Sequence, residues 1–323
     1  MNPQSYDVIV VGAGPAGLTA GIYLARAKMR TLILNEGTVG GQTVLTHEIA
    51  NYPGIESISG HQLATTMKNQ AKKFGCSIRS NITVTKFDLA GDTKRVEVNG
   101  KEEFTAPAVI LATGGRSRTL GVPGEGEFKG KGISYCATCD GDFFQDRDII
   151  VVGGGNSALE EAVSLTRYAR SVTIIHQFDH FQAFPHAIEE AKQNPKIGFV
   201  MQSMIVEFVG NDSLERVKIR NLVTDEVAER KIDGVFIFIG YVPNTEKLDG
   251  ILDLNQAGEI VVSPLLETSL PGVFGAGDSI AKKYRQVTTA VADGTVAALT
   301  SMEYLRTRDS AVRERTLEPA LDE

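Results

Sequence analysis

The sequence predicts an α/β fold of two parallel-sheet domains, one inserted in the other, and three observations carry that reading. Short apolar runs at residues 8–11, 31–34, 108–112, 149–152, 172–175 and 235–239 alternate with amphipathic stretches. This is the pattern of parallel strands buried on both faces and joined through helices. The first run leads into Gly12-Ala13-Gly14-Pro15-Ala16-Gly17 and the fourth into Gly153-Gly154-Gly155-Asn156-Ser157-Ala158, so one strand–loop–helix device occurs twice. Between the copies lies a single Cys136-Ala137-Thr138-Cys139-Asp140.

The first copy meets each context test for a dinucleotide loop. A strand precedes it, a helical stretch at 18–26 follows, and Glu36 ends the next apolar run about 20 residues on. Gly12 permits the tight turn, Gly14 lets the backbone approach a pyrophosphate, and Gly17 lets helix and strand pack closely. Helix N-terminal amides then face the phosphate charge, and Pro15 is tolerated in a first turn whose amides lack acceptors. Glu36 is placed to accept from a ribose diol. In the second copy Gly153, Gly155 and Ala158 fit the Gly-x-Gly-x-x-Ala variant ahead of a helix at 157–165, with Asn156 and Ser157 in the turn. Both domains therefore read as Rossmann-like. Turn residues after strand ends at 112–115 and 240–245 mark the boundaries, and 270–278 reads as a strand and turn that returns to the first domain. The expected division is 1–115 with 247–323, interrupted by 116–246. The segment 306–323 is charged, lacks a periodic apolar face and reads as frayed or disordered.

At 323 residues the chain can bury two cores. Its net charge of −7 argues against a nucleic-acid or anionic-membrane surface. The start runs directly into the first strand, leaving no room for a signal peptide, and no run of about 18 apolar residues offers a membrane span. The expectation is a soluble, cytoplasmic protein. Only Cys76, Cys136 and Cys139 occur, too few for a disulfide scaffold, so Cys-x-x-Cys reads as redox-active and Cys76 as a lone thiol. Zinc needs about four ligands. There is no second cysteine pair, and His176 and His180 lie too far beyond Cys139 for a finger, so no metal is expected.

A dithiol reacts as thiolate, through a mixed disulfide that the second cysteine resolves. Asp140, beside the pair, is placed to exchange protons with a departing thiolate or a reduced cofactor; on its own it also reads as a turn aspartate.

Further stretches extend the pattern: Gly40-Gly41-Gln42, Asn51-Tyr52-Pro53-Gly54, Ala112-Thr113-Gly114, Gly240-Tyr241-Val242-Pro243-Asn244-Thr245, Gly275-Ala276-Gly277-Asp278 and Tyr284-Arg285-Gln286. With them the sequence resembles the low-molecular-weight thioredoxin reductase family over nearly its whole length. The resemblance implies an FAD domain interrupted by a pyridine-nucleotide domain, a homodimer, and a thioredoxin-like or other disulfide protein as partner. It places Gln42 and Asn51 near the isoalloxazine, Asp278 on the ribityl or phosphate moiety, and Gln286 and Val287 at the pyrimidine edge. Gly41, Thr113, Gly114, Gly277 and Arg285 join the cofactor-binding set. It also sets Cys139 against the flavin and makes Cys136 the attacker of the partner disulfide.

One stretch departs from the family pattern. NADPH-dependent members carry an arginine-rich run after the strand corresponding to 172–175, gripping the 2′-phosphate. Here the run is His176-Gln177-Phe178-Asp179-His180-Phe181-Gln182-Ala183-Phe184-Pro185-His186, with no Lys or Arg from 171 to 191. Poor use of NADPH is therefore expected. NADH usually requires an acid at the strand end; His176 occupies that position, and Asp179 lies three residues late. Phe178, Phe181 and Phe184 with the imidazoles could stack a flat heterocycle, adenine or a second flavin, or be core rings beside solvated histidines. Relatives that dispense with pyridine nucleotide use ferredoxin or a second flavin, and the chain is a candidate for that subset. The rival classes are a conventional NAD(P)H-dependent thioredoxin reductase and a non-enzymatic flavin/thiol sensor. The proton-bearing Asp140 beside the pair weighs against the sensor.

Overall fold

The computed structural model describes residues 4–46 and 49–317. The chain divides into two compact units, Met1–Arg116 with Val242–Glu323, and Ser117–Tyr241.

In the first unit the apolar runs form a five-stranded parallel sheet. Its spatial order is Val273–Gly275, Ala108–Leu111, Val8–Val11, Thr31–Asn35 and Ser77–Ser80. The three central strands are buried throughout, as near-continuous aliphatic runs require. The polar Ser77–Ser80 closes an edge and stays partly exposed. The late segment around Leu270–Asp278 thus supplies the opposite edge strand, paired with Ala108–Leu111. A second sheet runs Gln4–Ser5, Glu102–Ala106, Lys94–Val98 and Val84–Asp88, antiparallel except at its first pair.

Helix Pro15–Arg26 starts with proline at its first position, where no amide partner is lost. It packs against the long helix Val287–Leu317. Their crossing is close because both sides are small: a Cβ on Gly294 would overlap the Ala16 carbonyl oxygen. Ala297, Ala298 and Ser301 are fully buried along the same stretch.

The second unit repeats the device. Its parallel sheet runs Ile133–Ser134, Gly234–Ile237, Asp148–Val152, Ser171–Ile175 and Ile197–Val200, and helix Asn156–Leu165 follows the second glycine loop. An antiparallel meander, Ser203–Gly210, Leu214–Asn221 and Val227–Lys231, completes it. Among the described residues no helix is long and apolar enough to cross a membrane.

The reading of 306–323 as frayed needs correction. The helix continues unbroken to Leu317, and residues 318–323 lie outside the described ones. Leu305 is the last buried apolar residue among the described side chains, and the sequence beyond it has no periodic apolar face. Extending a helix that is already nucleated and anchored costs little where Arg, Glu and Ala supply good propensity and no proline intervenes.

The Gly294 crossing gives a direct test. Gly294→Val should lower stability by about 1–3 kcal/mol through overpacking, a fall of several degrees in Tm by thermal circular dichroism. A Tm unchanged from the parent would mean that the two helices do not meet there.

Candidate functional site: a glycine-loop cradle and a disulfide

The first loop is shaped by backbone crossings. Gly12 sits at φ 107°, and a Cβ there would overlap the Ala112 carbonyl oxygen beside Thr113. A Cβ on Gly17 would overlap the Gly12 oxygen, whereas Gly14 faces open space with no atom within 4 Å of a Cβ. The loop is pinned from behind. Ala13 N donates to Asn35 Oδ1 at 2.8 Å, Gly40 N to Ala13 O at 2.7 Å, and Gly12 N to Leu34 O at 2.7 Å. Gly41, at φ 59°, lies beside Gly14, its Cβ position 3.3 Å from Gly14 Cα. Gly277, at φ 76°, lies beside Ala16, with a Cβ position 2.9 Å from the Ala16 Cβ. Pro15 completes the helix start.

Residues distant in sequence thus converge: Gly12 with Thr113, Gly14 with Gly41, and Ala16 with Gly277. Gly114, at φ 62°, follows Thr113, and Asn244 holds both backbones, its Nδ2 donating to Thr113 O at 3.0 Å and its N to Gly114 O at 2.9 Å.

Glu36 is half-exposed but not idle. Its Oε1 accepts from Val84 N at 2.8 Å and from Lys247 Nζ at 2.8 Å. A carboxylate offers about four lone-pair sites, so Oε2 keeps capacity for a diol. Asp278 is largely buried, and Lys282 Nζ lies 3.5 Å from its Oδ1 and 2.6 Å from Asp293 Oδ2. Burial raises the Asp278 carboxyl above its ordinary range, opposed by Lys282 and Arg285. Arg285 pairs with Glu259, Gln286 N donates to Thr289 Oγ1 at 3.1 Å, and Val287 begins the long helix. Gln42 and Asn51 are exposed, the first on the turn Gly41–Leu45 and the second between the bridged Ile49 and Ile58.

These residues fit FAD on structural grounds. Open space stands over Gly14 at an uncapped helix N-terminus. Two buried oxygens, Thr113 Oγ1 and Asp278 Oδ1, make no hydrogen bond to the protein, a cost that a hydroxyl-bearing ligand would remove.

In the second unit Cys136 and Cys139 form a disulfide, their Cα atoms 5.3 Å apart. Cys136 caps the short helix Ala137–Asp140, and Cys139 N donates to Cys136 Sγ at 3.2 Å. On reduction that amide would favour thiolate at Cys136. The Asp140 carboxyl accepts from Ser134 Oγ at 2.6 Å; burial raises it, with Ser134 opposing. A carboxyl whose protonated form burial favours thus stands one residue from Cys139.

Comparing the two repeats corrects one assignment. Val11 pairs with Leu34, and Val152 with Ile175. Gly153 N donates to Ile175 O at 3.1 Å, as Gly12 N does to Leu34 O. Glu36 stands two residues beyond Leu34, and two beyond Ile175 is Gln177. His176 matches Asn35 instead. It lies over the loop as Asn35 does, its ring where a Gly154 side chain would go. His176 is buried, its Nε2 has no hydrogen-bond partner, and burial lowers its pKa, so the ring is neutral at pH 7. It stacks on Phe181 at 5.8 Å and meets Phe178 edge-on at 5.3 Å.

Phe181 packs on Phe199, whereas Phe178 and Phe184 are 40% and 60% exposed, so the aromatic run is neither wholly core nor wholly surface. The segment closes back on the loop. Gln182 N donates to Gly154 O at 2.8 Å and Phe184 N to Asn156 Oδ1 at 2.7 Å, while Gly155 keeps space beside Gln182 O, 3.9 Å from its Cβ position. Ser157 and Ala158 lie in the first turn of the helix, Ala158 fully buried beneath Gly153.

Asn35, Ser134, Asn244 and Lys247 were not among the residues expected from sequence. Asn35 beside Glu36, and Ser134 two before Cys136, carry only proximity as a signal. Asn244 and Lys247 meet their partners across more than a hundred residues.

A glycine-loop cradle that fits FAD in one Rossmann-like domain, and a redox disulfide in a second inserted in it, define an FAD-dependent disulfide oxidoreductase. The family model described as pyridine nucleotide-disulphide oxidoreductase matches residues 6–294. The chain is 44% identical over 307 residues to a thioredoxin reductase of Peptoclostridium acidaminophilum, covering 93% of this chain and 97% of that one. It is 42% identical over 301 residues to the thioredoxin reductase of Bacillus subtilis (strain 168), covering 93% and 95%. The crystal structure of thioredoxin reductase from Streptococcus pyogenes MGAS5005 matches with a TM-score of 0.91 at 40% identity, over 95% of this chain and all of that one. The chain belongs to the pyridine nucleotide-disulphide oxidoreductases and is of the thioredoxin reductase type.

The third cysteine behaves differently. Cys76 is buried, which pushes its thiol up to about 12, so its thiolate fraction at pH 8 is about 10⁻⁴. After reduction, a chromogenic disulfide reagent should titrate two thiols in the native protein and three in guanidinium. Three fast thiols in the native state would contradict this burial.

Proposed function

We propose that this enzyme passes electrons between bound FAD, the Cys136–Cys139 couple and the disulfide of a thioredoxin-like protein, and that NADPH is not its preferred donor. In this reading Gly12, Gly14, Gly17, Glu36, Thr113 and Asp278 hold the FAD, which supplies a two-electron carrier. The disulfide takes up two electrons and two protons to become a dithiol. Cys136, the sulfur that accepts the Cys139 amide, then attacks the partner disulfide as thiolate. A Cys136–partner mixed disulfide forms and one partner thiolate leaves, taking its proton from Asp140. Cys139 attacks Cys136 Sγ, re-forms the internal disulfide and releases the second partner thiol.

The donor reading rests on one observation: the 2′-phosphate end of the second site offers Gln177, Phe178 and a neutral, buried His176, with no Lys or Arg from 171 to 191. Asp179, exposed and hydrogen-bonded to His180, is held below the usual carboxylate range by that bond and so stays ionised. A dianionic phosphate would forgo charge-assisted bonds of about 1.5–3 kcal/mol each. Donors without that phosphate fit better, whether NADH, ferredoxin or a second flavin. The exposed stacks Phe178–His180 and Phe184–His186, with centroids 6.0 and 5.9 Å apart, support a flat heterocycle there.

Anaerobic titration tests this. NADPH should bleach the flavin band slowly or not at all, and Gln177→Arg with Phe178→Arg should tighten NADPH by ~10²-fold. Rapid bleaching of the parent at micromolar NADPH would refute the donor reading. A flavin-to-chain ratio near one would remove the second flavin and leave NADH and ferredoxin. The disulfide itself is tested separately: Cys139→Ser should abolish flavin reduction by dithiothreitol, whereas Cys136→Ser should leave a Cys139 thiolate that perturbs the flavin spectrum. A Cys139→Ser protein still fully reduced by dithiothreitol would remove the couple from the pathway.

A further inference from the structure

We propose that Ser134 is a positioning residue for thiol–disulfide exchange, its hydroxyl tying the Asp140 carboxyl to the backbone of Cys136 so that proton donor and nucleophile are held as one unit. The proposal rests on the reading of Asp140 as the acid that protonates the departing thiolate.

Ser134 is 4% exposed and lies on the short strand Ile133–Ser134, where it pairs with Phe236 of the parallel sheet. Its position is therefore set by the sheet and not by the cysteine loop. Three polar atoms meet its oxygen: Asp140 Oδ2 at 2.6 Å, Cys136 N at 3.1 Å and Cys136 O at 3.3 Å.

A hydroxyl has one hydrogen and two lone pairs, which allows two arrangements. With Asp140 ionised, Ser134 donates to its carboxylate and accepts from Cys136 N. With Asp140 protonated, the carboxyl donates to Ser134 Oγ, which passes its own hydrogen to Cys136 O and still accepts from Cys136 N. The amide of the nucleophile is satisfied in both states, so Asp140 can lose and regain its proton without the loop having to move. An aliphatic side chain at 134 would leave Cys136 N without that acceptor and the carboxyl free to turn.

The charges around Asp140 do not supply an alternative clamp. Asp142 is the charged group that acts on it, and it repels. Helix Asn156–Leu165, packed on the cysteine helix, carries acidic Glu160 and Glu161 and no cation.

In the step concerned, Cys136 thiolate and a disulfide RSSR give Cys136–S–S–R and RS⁻, and RS⁻ takes the Asp140 proton to leave as RSH. An alkyl thiolate, the poorer leaving group, gains from that proton, while an aromatic thiolate leaves readily without it. The test uses reduced holoenzyme in single turnovers from pH 5 to 9, with bis(2-hydroxyethyl) disulfide and with an aromatic disulfide. Ser134→Thr and Ser134→Val have the same shape and differ only in the hydroxyl.

The valine variant should react about tenfold more slowly with the alkyl disulfide, a fraction of the 10²–10⁴-fold that a general acid contributes. Its alkaline limb should move to higher pH, because the ionised carboxylate has lost a donor. The threonine variant should match the parent, and the aromatic disulfide should react alike with all three. Equal rates and limbs for Ser134→Thr and Ser134→Val, in a background where Asp140→Asn abolishes the limb, would overturn the role of Ser134 and leave that of Asp140. A limb that survives Asp140→Asn would overturn the reading of Asp140 and this proposal with it. Should Ser134→Val not fold, Ser134→Ala takes its place, with the same result required.

Discussion

The close passage of backbone over backbone at the first glycine loop is the constraint from which the rest of the cofactor domain follows. Gly12 rests on the Ala112 carbonyl and Gly17 on the Gly12 carbonyl, distances that no side chain permits. Because they do, helix Pro15–Arg26 begins directly over the carboxyl end of the sheet, with its unpaired amides facing outward. The same proximity draws in Thr113 behind Gly12, Gly41 beside Gly14 and Gly277 beside Ala16. Gly294 then lets the long helix lie on the back of the same turn. The cradle is the outcome of packing the smallest residues where three chain segments cross.

The second unit uses the same geometry with different chemistry. Its loop has a matching glycine over the Phe238 carbonyl, just past the neighbouring strand Gly234–Ile237, and the same hydrogen bond from the loop to the end of the next strand. What differs is the residue leaning over the middle of the loop. In one repeat Asn35 accepts the Ala13 amide, whereas in the other a neutral imidazole fills the space of a missing side chain. One residue further on, an acid in the first repeat becomes an amide in the second. The two repeats share the strand–loop–helix scaffold and differ in the residues that lean over it.

Much of this was legible in the sequence because the signals are local. Aliphatic runs set the central strands, and the paired glycine loops with the cysteine pair marked the chemistry. The residues that escaped notice act over long separations. Lys247 reaches Glu36, Asn244 holds Thr113 and Gly114, and Asn35 supports Ala13; the stretch around Asn244 was legible as a motif, but none of these partners was. The strand-end position fell on His176 by counting and on Gln177 by register, since only pairing with the neighbouring strand fixes where a strand stops. The final helix was missed for a different reason: its outer turns extend an element anchored elsewhere and carry no apolar stripe of their own.

The chain's exit from the first unit and its return lie side by side. Arg116 Nη1 donates to Asn244 Oδ1 at 2.8 Å, and Asn244 N to Gly114 O at 2.9 Å. A segment whose two ends meet within hydrogen-bonding distance can be lifted out and the gap closed with a turn of a few residues. The first unit is in this sense a socket: its five-stranded sheet and long helix are formed by residues on either side of the insert, and a different module could be spliced at the same seam. The dithiol, at 136 and 139, travels with the insert.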